Sequence, residues 1–250
     1  MRTEMFAQLR GDSGTLTELA FCEDHQALPE AVDSGEIDAV IVGCETGFSE
    51  FGSYNEFLAN QVGVSYQFMR DQAEWNRHQN ERVSLLSFAG SGDSGLRSLV
   101  LLPYGGFQPG RGCLSYRPFE SDLPSRDFYY NVAYEAFRIA CEHRQARRIW
   151  MMNPAAPWSF HRDIATCVCE ALAHWCDASP KHAPESVIFN VVGESGDERA
   201  EGMRKRDFSG VRALNAEGGS TRHRPISRQS ESVSDEQGNR VELTHLDWWS

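Results

Sequence analysis

The tetrapeptide Gly-Asp-Ser-Gly occurs twice, at residues 11–14 and 92–95, and it resembles the signature around the nucleophilic serine of hydrolases. Such a serine stands between a strand and a helix, with histidine and acidic partners further along the chain. Ser94 instead lies between two strand-like runs. Gly, Asp and Ser are also the residues that tight turns use. We therefore interpret both copies as turns.

His161 and Asp163 are the best-placed acid/base pair of the chain. They lie near the start of a predicted helix, just beyond the end of a predicted strand, where a side chain can meet a bound substrate. The structural alternative is that His161 caps the helix or packs at its start. No loop holds a complete catalytic motif, so the sequence leaves open whether the protein is an enzyme.

The cysteines do not indicate a metal site. Cys167, Cys169 and Cys176 lie on one predicted helix, and residues two apart on a helix point to opposite sides. The seven cysteines also lack the regular spacing of a disulfide framework, so reduced thiols are expected. Neither a metal nor a cofactor is predicted.

Three short apolar runs each end abruptly at glycine, proline or asparagine, which is typical of strands buried on both faces. Ligands of parallel sheets sit where such strands end. We therefore predict a principal cleft lined by the segments that come after the runs. These segments are residues 43–54, 104–112 and 153–161.

The remaining patterns predict alternating strands and helices. We expect a hairpin over 4–21, a short helix at 29–34, helices within 54–80 broken near Gly63, a second hairpin of 83–88 with 96–102, helices at 127–144 and 159–177, and strands at 147–152 and 186–192. Helix, strand, helix, strand is the rhythm of a parallel or mixed sheet. The predicted fold class is α/β, a three-layer α/β/α sandwich with a mixed sheet.

Composition divides the chain into a body and a tail. The 250 residues, 40% of them hydrophobic, can bury the core of one domain, which we place at residues 1–193. Residues 194–240 carry only scattered apolar residues and are expected to form a flexible arm. Residues 241–250 are apolar enough to return as an edge strand or to dock on a partner. No membrane span or signal peptide is recognisable, so a cytoplasmic location is expected.

Charge restricts the partners. The formal net charge of −12 repels nucleic acids and anionic membranes, so neither is predicted as a partner. An acidic body is compatible with a basic protein partner, although ordinary solubility charge gives the same composition.

Four features together resemble the macro domain family: the run Ile37–Val42, the pair Gly11 and Asp12 after the first strand, the strand end Leu102–Pro103, and the block 128–175. The resemblance covers roughly residues 5–192. Macro domains are three-layer α/β/α sandwiches that bind ADP-ribose, and some members hydrolyse ADP-ribosyl bonds. The resemblance thus implies an ADP-ribose-like small molecule as the ligand.

By position, the resemblance implies that Asp12 accepts a hydrogen bond from the adenine amino group. It also implies that the loop after Val42 holds the distal ribose and the loop after Met152 the phosphates. The ligand-binding residues predicted in this way are Asp12, Gly43, Cys44, Asn55, Gly105, Gly106 and Asn153.

Two loops depart from the family pattern. Gly43, Cys44, Glu45 and Thr46 stand where the family has Asn-Ala-Ala-Asn, so the asparagine beside the distal ribose is missing. The phosphate loop reads Asn-Pro-Ala-Ala-Pro from residue 153, and its prolines lack backbone donors. Weak or absent hydrolase activity is therefore expected, with Glu45 and His161 as the candidate base and acid. The alternative function is a non-enzymatic interaction module whose acidic surface binds a protein.

Overall fold

The computed structural model describes residues 3–10, 14–22, 24–44, 54–78, 83–92, 94–103, 125–152, 162–190 and 228–246. Its strands are β1 (Glu4–Arg10), β2 (Leu16–Cys22), β3 (Ala39–Cys44), β4 (Val83–Ala89), β5 (Ser98–Pro103), β6 (Arg148–Met152), β7 (Ser186–Asn190), β8 (Arg228–Ser234) and β9 (Arg240–Leu246). Its α-helices are α1 (Leu28–Asp33), α2 (Tyr54–Gln61), α3 (Tyr66–His78), α4 (Ser125–Arg138) and α5 (Arg162–Ala178). A π-helical turn, Ile139–His143, continues α4.

The described strands form one sheet in the order β1-β2-β7-β6-β3-β5-β4-β9-β8. The five strands from β2 to β5 in this order run parallel to one another. The strands β1, β4, β9 and β8 each pair antiparallel with a neighbour. The sheet is therefore mixed, as the sequence predicts.

Both faces of the central strand β3 are buried, and alternate side chains enter different cores. Ala39 and Ile41 pack in one core with residues of α4 and α5. Val40 and Val42 pack in the other core with residues of α1, α2 and α3. Because successive side chains of a strand point to opposite faces, a continuous apolar run requires a helical layer on each side. The predicted three-layer α/β/α architecture is confirmed.

The two predicted hairpins and the break between two helices are present. The strands β1 and β2 pair antiparallel, as do β4 and β5. Helices α2 and α3 are separated at Gly63, whose φ of +68° suits glycine. In the β4–β5 connection, a Cβ added to Gly90 would lie 1.5 Å from the carbonyl oxygen of Leu96. Ser94 Oγ there accepts from the Leu96 backbone N–H at 2.9 Å, which agrees with the turn interpretation of its tetrapeptide.

The C-terminal segment adds two strands to the sheet. The interior strand β9 pairs with β4 on one side and β8 on the other. The edge strand is thus β8, which lies inside the segment where a flexible arm was expected; for residues 228–234 that expectation is wrong. Residues 191–227 and 247–250 lie outside the described residues, and for them the arm and the docking segment stay predictions.

Two ion pairs attach this C-terminal hairpin to the layer of α4. Arg228 of β8 lies 3.3 Å from the buried carboxylate of Glu135. Arg144, which follows the π-helical turn, lies 2.8 Å from Glu242 of β9. Val241 and Leu243 are fully buried in the core that also holds β4. The hairpin is therefore joined to the body by apolar packing as well as by charge.

The buried carboxylate of Asp38 positions the start of β6 beside β3. Its Oδ1 accepts the backbone N–H groups of Arg147 and Arg148 at 2.9 and 2.8 Å. The backbone N–H of Asp38 in turn donates to the Arg148 carbonyl, and its carbonyl accepts from Arg97 N at the start of β5. One residue thus connects the amino ends of three adjacent parallel strands.

Replacing Asp38 by alanine should lower the free energy of unfolding by about 2 kcal/mol or more, because two backbone donors lose their acceptor. Urea denaturation followed by circular dichroism measures the change, with Asp33→Ala as a control, since Asp33 is exposed at the end of α1. Equal midpoints for the two variants would contradict the role given to Asp38.

Candidate functional site

A ligand crevice is expected at the carboxyl ends of β3 and β6. These strands are adjacent and parallel, with Val42 opposite Met152 at the last pair. The chain leaves β3 toward α2, which packs on one face of the sheet, and leaves β6 toward α5, which packs on the other. Where neighbouring strands send their connections to opposite faces, a crevice opens outside their carboxyl ends.

Most of the predicted ligand-binding residues fall at or next to this edge. Gly43 and Cys44 are the last two residues of β3 and pair with Leu102 and Pro103 of β5. Asn55 is the second residue of α2. The other predicted residues of this edge lie outside the described residues, but each follows or precedes a described element closely in the chain: Glu45 after β3, Gly105 and Gly106 after β5, Asn153 after β6, and His161 directly before α5.

The three segments predicted to line the cleft leave the sheet on the same side. They follow β3, β5 and β6, which are parallel neighbours in the order β6-β3-β5. Beyond the strand ends, the segments themselves lie largely outside the described residues. That they line one cleft therefore stays a prediction, while their common origin at one edge is observed.

Asp12, the remaining predicted ligand-binding residue, lies outside the described residues. Of the described residues before and after it, Arg10 of β1 pairs with Leu16 of β2. Leu16 begins β2, and β2 runs parallel to β7, so this pair lies at the amino ends of the parallel strands. The role implied for Asp12 stays a prediction.

Two residues at the carboxyl edge were missed by the sequence analysis. Asn190, the last residue of β7, is 1% exposed, and its Nδ2 donates to the Cys22 carbonyl at 3.0 Å. The Oδ1 of Asn190 is buried without a hydrogen-bond partner. A buried polar atom of this kind costs free energy, so the Asn190 amide retains an unused acceptor at this edge.

Asp24 is the second missed residue. It follows the carboxyl end of β2, is exposed, and its Oδ1 accepts from Gln26 N at 2.9 Å. A carboxylate has further lone pairs available, so Asp24 can accept another hydrogen bond from a ligand. The sequence signal that could have indicated Asp24 is its position directly after the second strand of the predicted hairpin.

Two kinds of buried group in the described residues, the cysteine thiols and a hydrogen-bonded tyrosine–histidine pair, do not act as nucleophiles. Cys22, Cys141, Cys169 and Cys176 are buried and form no disulfide, and burial raises the pKa of Cys176 to about 11, so this thiol is protonated at neutral pH. Tyr130 Oη and His174 Nδ1 are hydrogen-bonded between α4 and α5. Burial is the main cause that raises the pKa of Tyr130 above its usual value, so the phenol stays neutral.

Within the described part of the chain, no group of three or more His, Cys, Asp or Glu side chains could hold a metal ion. Over the same residues, no helix is both long and apolar enough to cross a membrane.

Comparison with solved structures returned one family repeatedly. The chain resembles solved macrodomain structures. An Oceanobacillus iheyensis macrodomain with ADP gives a TM-score of 0.48 at 10% identity and covers 85% of this chain and 96% of its own. A mutant of the same macrodomain with ADPR gives 0.47 at 9% identity, covering 86% and 100%. A Trypanosoma brucei macrodomain gives 0.45 at 12% identity, covering 74% and 65%.

No family model matches the chain, and no curated protein matches it. The macrodomain structures agree with the resemblance found in the sequence. Because their identities and TM-scores are low, they assign no residue of this chain to a ligand. A role for any residue must therefore rest on the geometry of this chain's own strands and helices.

Asn190→Ala should lower the free energy of unfolding by about 1 kcal/mol, because the Cys22 carbonyl loses its donor between β2 and β7. Thermal and urea unfolding measure the effect. The control is Asn60→Ala, since Asn60 is exposed on α2. If the two variants unfold at the same midpoint, the Asn190 hydrogen bond does not join these strand ends.

Proposed function

We propose that the carboxyl edge of the sheet binds an ADP-ribose-like nucleotide and that the protein hydrolyses ADP-ribosyl bonds weakly or not at all. The supporting observation is the crevice position between β3 and β6, since the helices after these two strands pack on opposite faces. In open α/β sheets this is where nucleotide-sized ligands bind.

The length of the edge suits an elongated ligand. The parallel strands from β2 to β5 make four interstrand steps, each of about 4.8 Å, and therefore span roughly 19 Å. A ligand lying along the first three of these steps, roughly 14 Å, would reach from Asp24, after β2, to Gly43 and Cys44, at the end of β3. In this proposal Asp24, rather than Asp12, accepts the hydrogen bond from the base.

The segments after the strands differ in what they offer a pyrophosphate. Phosphates are held by backbone N–H groups, and glycine lets the backbone approach closely. The loop after β6 contains Pro154 and Pro157, which have no N–H. The segment after β5 contains Gly105 and Gly106. We therefore assign the phosphates to the segment after β5.

ADP-ribose should raise the thermal unfolding midpoint by several degrees. A ligand at a hundredfold excess over its dissociation constant adds about 2.7 kcal/mol of stability. Differential scanning fluorimetry with ADP-ribose, ADP and NAD measures the shift. Asp24→Ala should weaken binding of ADP-ribose, while Asp33→Ala, an exposed aspartate at the end of α1, should leave it unchanged.

One outcome would contradict the binding proposal, and a second would contradict only the role of Asp24. Absence of a shift with any of the three nucleotides would favour the alternative function, an interaction module that uses the acidic surface of a chain with net charge −12. Equal losses of affinity in Asp24→Ala and Asp33→Ala would remove Asp24 from the site but leave the crevice.

Turnover of an ADP-ribosylated substrate should be weak or absent. Hydrolysis requires a positioned base or water and firmly held phosphates. In this chain Cys44 or Glu45 stands where the family has asparagine, and the loop after β6 contains Pro154 and Pro157. The assay compares the protein with its Glu45→Ala and His161→Ala variants. Robust turnover that either substitution abolishes would overturn this expectation and make that residue catalytic.

A further inference from the structure

A second cleft lies at the opposite edge of the sheet from the proposed nucleotide crevice. Its volume is about 240 Å³, and its walls come from the junction of α2 and α3, the end of β4, Arg144 and the turn between β8 and β9. We propose that this cleft binds a small oxyanion, a phosphate or carboxylate group, between Arg144 and Arg240.

The cleft is built at the amino edge by contacts that are independent of the carboxyl edge. The Ser91 backbone N–H donates to the Gln61 carbonyl at 2.9 Å, which holds the α2–α3 junction against the turn between β4 and β5. Gly63 and Gly238 line the cleft with positive φ angles of +68° and +85°. Neither carries a side chain that would fill the space between the two walls.

Positive charge exceeds negative charge among the lining residues. Arg144, Arg240 and Glu242 are the charged residues that line the cleft, so its net charge is positive in a chain whose net charge is −12. This reversal of sign is local. An anion entering the cleft gains attraction that the rest of the acidic chain does not offer.

Both arginines retain unused hydrogen-bonding capacity. Arg144 lines the cleft and places Nη2 2.8 Å from Glu242 Oε2, and its guanidinium has further N–H groups. Arg240 donates from Nε to Ser232 Oγ at 2.7 Å, and among the described residues its terminal nitrogens have no hydrogen-bond partner. A guanidinium carries five N–H donors in a planar fork that matches carboxylate and phosphate oxygens.

The volume of the cleft restricts the ligand to a small molecule. Pockets for drug-sized ligands usually measure about 300–1,000 Å³, and this cleft is smaller. A full nucleotide is therefore not the expected occupant, and the two edges of the sheet would take ligands of different size.

The test titrates the full chain with inorganic phosphate and, in a separate experiment, with succinate. Backbone amide chemical shifts measured by NMR report binding, and sodium chloride keeps the ionic strength constant. The amide shifts of Gly63 and Gly238 are expected to change saturably with at least one of the two anions. The anion that binds shows whether the cleft prefers a phosphate or a carboxylate group. Adding ADP-ribose should leave these shifts in place, so failure of the nucleotide proposal does not affect this result.

Arg240→Gln should weaken binding about tenfold or more, because charge-assisted hydrogen bonds to the anion are lost. Arg240 is exposed, so this variant should fold normally; Arg144→Gln is the second variant. The matched control is Arg97→Gln, an exposed arginine of the same edge that donates to the Gln145 carbonyl outside the cleft. Absence of saturable shifts with both anions, or an equal loss in Arg97→Gln, would overturn the proposal.

Discussion

The architecture depends on how the amino ends of β3, β5 and β6 are held in register by the Asp38 carboxylate and backbone. Asp38 directly precedes β3 and accepts the backbone N–H groups that lead into β6. With the first pair at Ala39 and Ile149, the ladder ends with Val42 opposite Met152. A slip of one residue would exchange the faces of every side chain on β6. The contact at one edge thus determines which residues meet at the other edge, where the crevice is expected.

A buried carboxylate suits this task because its two oxygens can serve several backbone donors at once. Removing a charge from water is costly unless hydrogen bonds compensate it. Here the donors are backbone groups of Arg147 and Arg148, and the Arg148 Nε lies 3.8 Å away. Asp38 is therefore a structural residue, and its burial at the amino end of the sheet does not indicate catalysis.

Much of the fold could be predicted because its signals are local. The apolar runs of β3, β5 and β6 are continuous, and the helices α4 and α5 have clear periodicity. The strand β8 was missed because nearly all of its residues are exposed, so it carries no apolar pattern. Its place in the sheet follows from pairing with β9 and from the contact of Arg228 with Glu135, nearly a hundred residues earlier in the chain.

The candidate site was harder to predict, since its residues are brought together by long-range pairing. Asp24 follows the second strand of a hairpin, and only the parallel pairing of β2 with β7 places it at the carboxyl edge. Asn190 looks like any polar residue at a strand end, and its burial and contact with Cys22 come from neighbours in space. The order of strands and helices along the sequence predicted which strand ends share an edge of the sheet. It did not predict which side chains meet at that edge.

A fold of this class supplies a place for a ligand without specifying a reaction. Strand ends and glycine-rich segments offer backbone donors, which are sufficient for binding an anionic ligand. Hydrolysis further needs an acid or base held close to the reacting atom. Among the described residues, the titratable groups with raised pKa, such as Tyr130 and Cys176, are buried between strands and helices rather than at the carboxyl edge. Binding and turnover are therefore separate parts of the proposed function, and each needs its own assay.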